Sequence, residues 1–111
     1  MITVFVRHYL NEAGREYFDA EWYPYVLSII EKQPGFINIT TSNDEDVECR
    51  NITVQFKNKL TLDDWVAHED HQKVIHDLDP YRTKPWHYLM VEIDNPIRPT
   101  SLNEWNEVSL G

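Results

Sequence analysis

Three of the five histidines in this 111-residue chain, His68, His71 and His76, follow closely behind Trp65. An imidazole takes up or releases a proton near neutral pH, and an indole offers a flat wall to a planar ligand. On a continuous helix turning about 100° per residue, His76 lies about 20° from Trp65, with Gln72 about 20° and His68 about 60° to the other side. An ordinary core face would carry aliphatic residues at those positions. The pattern predicts a pocket wall in which Trp65 packs a planar substrate, Gln72 binds beside it, and His76 or His68 moves a proton. The plain alternative is that Trp65 is core and the histidines are half-exposed. His71 falls about 120° from Trp65 and is expected in solvent. A metal held by His68, His71 and His76, with Glu69 or Asp70, would need ligands that converge, and this spread is too wide for one ion. No metal site is expected.

The segment that must position these groups runs from Leu60 to Asp79. Thr61-Leu62-Asp63-Asp64 reads as a capping box, with Thr61 as N-cap and Leu60 and Trp65 at the staple positions. Asp79-Pro80 stops the helix at the latest, and a break near His71 is compatible with the pattern.

Elsewhere, Ile2 to Tyr9 alternates as a strand that is largely apolar on both sides, with Arg7 on the Phe5 side. That side is assigned to the helices, so Arg7 is a candidate for stabilising a substrate anion, against the plainer reading of an ion pair with a carboxylate. Trp86 and Tyr23, with Trp22 and Tyr25, are candidates to line an aromatic pocket or simply to fill the core. Cys49, the lone cysteine, reads as inert and excludes an internal disulfide or cysteine-based zinc cage.

Asn11 caps a helical segment from Glu12 to Lys32, which Pro24 should kink or restart, and Gln33-Pro34-Gly35 ends it. Phe36–Ser42 and Glu48–Lys57 read as a hairpin joined by the polar connector Asn43-Asp44-Glu45-Asp46. Lys84–Asp94 is the fourth strand. Residues 95–111 form a C-terminal arm, in which Ser101 and Glu104 would open a short helix bearing Leu102, Trp105 and Val108. The order strand, helix, strand, strand, helix, strand over residues 1–94 predicts an α+β, ferredoxin-like domain: a four-stranded antiparallel sheet with helices on one face. Apolar residues on the other face predict a homodimer.

Nineteen acidic against ten basic residues give a net charge of −9, which disfavours nucleic acid and anionic membrane surfaces as partners. The apolar runs are too short for a membrane span, the first residues lack the pattern of a signal peptide, and a single cysteine suits a reducing, cytoplasmic setting.

The first strand ending near Arg7, the Gln33-Pro34-Gly35-Phe36 turn, the hairpin, the helix with Trp65 and His68, and the last strand Trp86–Ile93 together resemble the antibiotic biosynthesis monooxygenase superfamily. The resemblance covers roughly residues 1–94 and rests on element order as much as on motifs. It implies a dimeric α+β barrel that oxygenates a small planar, aromatic or quinol-like substrate without a tightly bound cofactor. In that reading His76, His68, Trp65 and Arg7 are catalytic, and Trp65, Gln72, Trp86 and Tyr23 bind substrate. The haem-degrading members place an Asn on the first strand and a Trp and a His on the later helix. Arg7 stands where that Asn would be, Trp65 matches, and His76 lies one residue further than the pattern, so haem bound through His76 is the alternative. Other branches place a His earlier on this helix, matching His68 or His71. A non-catalytic dimeric ligand-binding module is the remaining reading.

Overall fold

The computed structural model describes residues 1–42, 48–92 and 106–108. The expected connector Asn43–Asp46 and the capping box of the arm, Ser101 and Glu104, lie outside the described residues. Among the described residues five strands, β1 (Ile2–Tyr9), β2 (Phe36–Ser42), β3 (Cys49–Phe56), β4 (Trp86–Val91) and β5 (Asn106–Val108), form one antiparallel sheet in the order β2-β3-β1-β4-β5. The first four strands are the expected ferredoxin-like sheet. The three residues of β5 pair with Trp86–Tyr88, so Val108, expected on a helix, belongs to an edge strand.

Register decides which side chains share a face. Val4 sits opposite Val54 and Met90, and Val6 opposite Ile52 and Tyr88, so these residues, with Ile2 and His8, face the helices. Thr3, Phe5, Arg7 and Tyr9 take the other face. The assignment of the Phe5 side to the helices is therefore reversed, because both sides of β1 are apolar and alternation alone cannot say which one the helices cover. The face away from the helices mixes polar and apolar groups, with Thr3, Phe5, Tyr9, Cys49, Asn51 and Gln55 all buried.

The first helical layer is continuous but changes its winding. Asn11 caps α1 (Glu12–Tyr17) by accepting from the Gly14 N–H at 2.8 Å. One π-type turn, Phe18–Trp22, follows, and α2 (Tyr23–Ile30) begins with Pro24 in its first turn. Pro24 has no N–H to give the Ala20 carbonyl. The wider turn, in which the Tyr23 N–H reaches the Phe18 carbonyl, takes up the mismatch, so the expected restart occurs without a chain break. Gly35, at φ 79°, makes the left-handed turn into β2. A Cβ there would also lie 2.5 Å from Thr61 Oγ1, so both backbone and space require glycine.

The second layer is broken outright. α3 (Lys59–Ala67) and α4 (Glu69–Asp77) meet at His68, whose backbone is extended with ψ 142°. The cap of α3 is Asn58, whose Oδ1 accepts from Thr61 N–H at 2.9 Å. Thr61 lies inside the first turn, and Leu60 is 71% exposed and staples nothing. Asn58 was a cap-competent residue three positions early, and the Thr61 pattern masked it. Among the described residues, no helix is long and apolar enough to cross a membrane.

Candidate functional site

Between α3, α4 and the sheet lies a chamber of about 340 Å³, walled by Trp65, Trp86, Tyr88, Met90 and His71 over a floor of Val4, Val6 and Val54. A smaller compartment of about 60 Å³ adjoins it, sharing Val6, Val54, Trp65, His71 and Trp86 and adding His8, Trp22 and aliphatic residues of α2 and α4. Trp65 and Trp86, two of the expected binding residues, are walls of both spaces. Trp65 is buried at 4% exposure.

The break at His68 decides which histidine joins them. Ending α3 at Ala67 and restarting at Glu69 turns α4 relative to α3, so positions extrapolated around one continuous helix are wrong beyond the break. His71, expected in solvent, packs edge-on against Trp65 with ring centroids 5.2 Å apart. Burial lowers its pKa to about 4, although a hydrogen bond to the Val66 carbonyl opposes the shift. The break also frees that carbonyl from its usual helical partner, and Gln72 Nε2 donates to it as well, at 2.7 Å. His71 Nδ1 is buried without a hydrogen-bond partner. With its pKa so lowered the ring is neutral at pH 7, and one of its nitrogens is an acceptor.

The other expected groups lie elsewhere. His68 Nδ1 accepts from the Asp70 N–H at 3.0 Å and caps α4. Its side chain is 43% exposed. His76 is 68% exposed, with Nδ1 2.9 Å from Asp79 Oδ2. Gln72 is exposed and seals the helix break from outside. Arg7, on the opposite sheet face, donates from Nε to Asn51 Oδ1 at 3.0 Å. Tyr23 stacks on Phe18, with centroids 6.0 Å apart, and lines neither space. His76, the proposed iron ligand of the haem alternative, therefore has no place on the chamber, and the residues present do not fit haem held through it. Among the described residues no three potential ligands converge on a metal-sized site.

His8 is the residue that sequence reasoning passed over. It is fully buried at the end of β1, edge-on to Trp22 at 5.7 Å and tilted against Trp86 at 5.5 Å. Arg82 Nη1 lies 2.9 Å from its Nδ1. A guanidinium only donates, so Nδ1 accepts and the ring hydrogen is on Nε2. Arg82 is anchored in turn by Asp79 Oδ1 at 2.8 Å and the Ile75 carbonyl at 2.8 Å. Burial first, then the charge of Arg82 and the nearby His71, hold the His8 pKa well below the ordinary value. Trp22, fixed by its indole N–H on the Val74 carbonyl at 2.7 Å, lines the compartment. The signal in the sequence was a histidine in phase with Ile2, Val4 and Val6. A ring placed on a core face has to be neutral and supplied with a partner.

No family model and no curated protein matches the chain. Solved structures do. An antibiotic biosynthesis monooxygenase superposes with a TM-score of 0.72 at 12% identity, covering 86% of this chain and 100% of that one. SnoaB, a cofactor-independent oxygenase from Streptomyces nogalater, gives 0.71 at 13% identity, over 88% and 97%. A conserved protein from Methanosarcina mazei Go1 gives 0.74 at 14% identity, over 81% and 89%. The fold is that of the antibiotic biosynthesis monooxygenases. At these identities the likeness establishes architecture, and the chemistry has to be argued from the residues of this chain.

Proposed function

We propose that this protein is a homodimeric monooxygenase that oxidises a small planar, electron-rich substrate with molecular oxygen and no tightly bound cofactor. The observation that carries the proposal is the neutral ring of His71, with a buried and unpartnered Nδ1, on the wall of an aromatic chamber. The similarity to SnoaB, itself a cofactor-independent oxygenase, supports the reaction class.

The chamber selects a flat ring by stacking and apolar contact with Trp65, Trp86 and Tyr88. Asp63 also lines it, and the chain carries −9 overall, so the substrate enters neutral and is ionised inside. The neutral His71 ring takes a proton from an activated methylene or phenol. Desolvation opposes the imidazolium, but the substrate anion formed beside it favours that charge, so the pair forms together. For a methylene, the carbanion gives an electron pair to dioxygen and forms a C–O bond. The proton on His71 returns to the terminal peroxide oxygen. Loss of water, with cleavage of the O–O bond and of the remaining C–H bond, leaves a carbonyl. One oxygen atom ends in product and the other in water.

Oxygen uptake across a panel of quinols, polyphenols and fused-ring methylene compounds tests this, with labelled dioxygen to follow the atoms. One labelled oxygen in the product is expected. Tight binding of planar ligands with no oxygen uptake by any of them would reject the enzyme and leave the ligand-binding module. Sedimentation of the intact protein tests the dimer.

A further inference from the structure

We infer that the inner compartment is a dioxygen site, with His8 Nε2–H as the donor that receives the reduced oxygen; this rests on the oxygenase reading above. Size comes first. An apolar cavity that takes up benzene is on the order of 150 Å³. At about 60 Å³ the inner compartment is too small for any ring the outer chamber accepts. A diatomic gas fits, and walls such as Val26, Ile52 and Ile75 suit it better than they suit water.

His8 supplies the second observation. Its Nε2 is buried without a hydrogen-bond partner, and leaving such a group unpaired is destabilising. A residue serving only to fill the core would carry no such cost, and phenylalanine would occupy the same space. Arg82 fixes the tautomer through Nδ1, which presents Nε2 as a donor on the ring edge away from the guanidinium. Dioxygen is neutral on arrival and needs no donor. It becomes a peroxide anion when the substrate carbanion gives it an electron pair and the C–O bond forms. The anion then accepts a hydrogen bond from an imidazole backed by a cation, in a setting where charge is weakly screened. Arg82 acts through His8 and is a positioning residue. The two spaces share the His71 and Trp65 walls, so oxygen in the inner one lies next to substrate in the outer one.

Crystals of the full chain under xenon pressure test the compartment without requiring turnover. Xenon beside His8 and Trp22 is expected. An ordered water bridging His8 and His71 that xenon does not displace, or xenon confined to the outer chamber, overturns the inference. Nitrogen-15 spectra should show His8 as the Nε2–H tautomer between pH 5 and 8, at roughly constant shift; the opposite tautomer or an imidazolium also overturns it. With an oxidised substrate in hand, His8→Phe is expected to raise KM for oxygen about tenfold or more while the substrate Kd stays within about twofold. A weaker substrate Kd with unchanged oxygen dependence would hand His8 to the organic substrate and reject the site. If no compound in the panel is oxidised, the oxygenase reading fails by itself, and the xenon map still decides whether a small-gas compartment exists.

Discussion

His8 and His71 face the interior, and His68 and His76 face solvent, within one small domain. The outer pair has its Nδ1 atoms engaged locally, His68 with the Asp70 N–H and His76 with Asp79. Each member of the inner pair has one buried nitrogen without a partner. Four imidazoles of the same chemistry are thus sorted by burial and by what each nitrogen touches. A histidine whose nitrogens are satisfied locally shapes the chain. One left with a buried, unsatisfied nitrogen on a pocket wall is poised to meet a ligand.

The most forceful way to break this comparison is His71→Phe. The substitution keeps a ring against Trp65 and removes the acceptor, so the fold should persist while kcat/KM falls about 100-fold or more, the range expected for losing a general base. The acid limb of kcat/KM in the wild-type protein should lie near pH 4, following the pKa of about 4 given to His71 by burial. A limb near 6.5, the value of an ordinary imidazole, would place the base elsewhere.

Next in size is Asp79→Ala, which asks what supports the inner pair. Arg82 has a side chain with 0% exposure, while Asp79 is 41% exposed. Burial pushes the Asp79 carboxyl up, but hydrogen bonds from Arg82 and His76 outweigh that and hold it below the usual range. Removing Asp79 leaves Arg82 buried on His8 and the Ile75 carbonyl alone. The expected loss is about 3 kcal/mol, at the low end for stranding a buried charge because the pair is partly solvated. His76→Ala removes only the exposed partner and should cost far less. Urea unfolding of the two variants side by side measures the difference.

A third effect sets the two pairs apart by pH. The folded-state pKa of His71 is lowered from 6.5 to about 4. Above pH 6.5 the ring is neutral in both states and the stability is fully present. As pH falls below 6.5, the unfolded chain binds a proton that the folded chain refuses, so stability is lost down to about pH 4, by roughly 3 kcal/mol at most. His8 acts in the same direction. Between pH 7 and 4.5 the urea midpoint of wild type should fall further than that of His71→Phe. Parallel lines would show that His71 is solvated.

How much of this the sequence disclosed depends on what each inference needed. β1 and β2 were legible to the residue, because alternation and the Pro34-Gly35 turn are local signals. Trp65 and Trp86 were legible as aromatic walls for the same reason. His71 was not, because its direction depends on one residue's ψ at His68, and a helical wheel multiplies that single error over every later position. Arg7 was misplaced because β1 is apolar on both sides, and only the packing of α3 and α4 shows which side is inner. His8 was visible in phase with Val4 and Val6, but its importance rests on Arg82, distant in sequence and brought beside it by the fold.

The smallest expected effect is the sharpest test of the sorting. His68 sits where α3 ends and α4 begins, and its Nδ1 acts as an N-cap. His68→Ala should cost about 1 kcal/mol, as for loss of a side-chain cap. It should also shift His71 slightly, since the break is what sets His71 against Trp65. His68→Asn restores a good cap without an imidazole. If His68 is architectural, Asn recovers both the stability and the turnover that Ala loses. If His68 carries a proton, Asn recovers stability alone and turnover stays low. Urea midpoints and kcat measured on the same two proteins separate these outcomes. The Asn variant decides, because it holds the backbone break fixed while removing the only group at that position that can take up a proton.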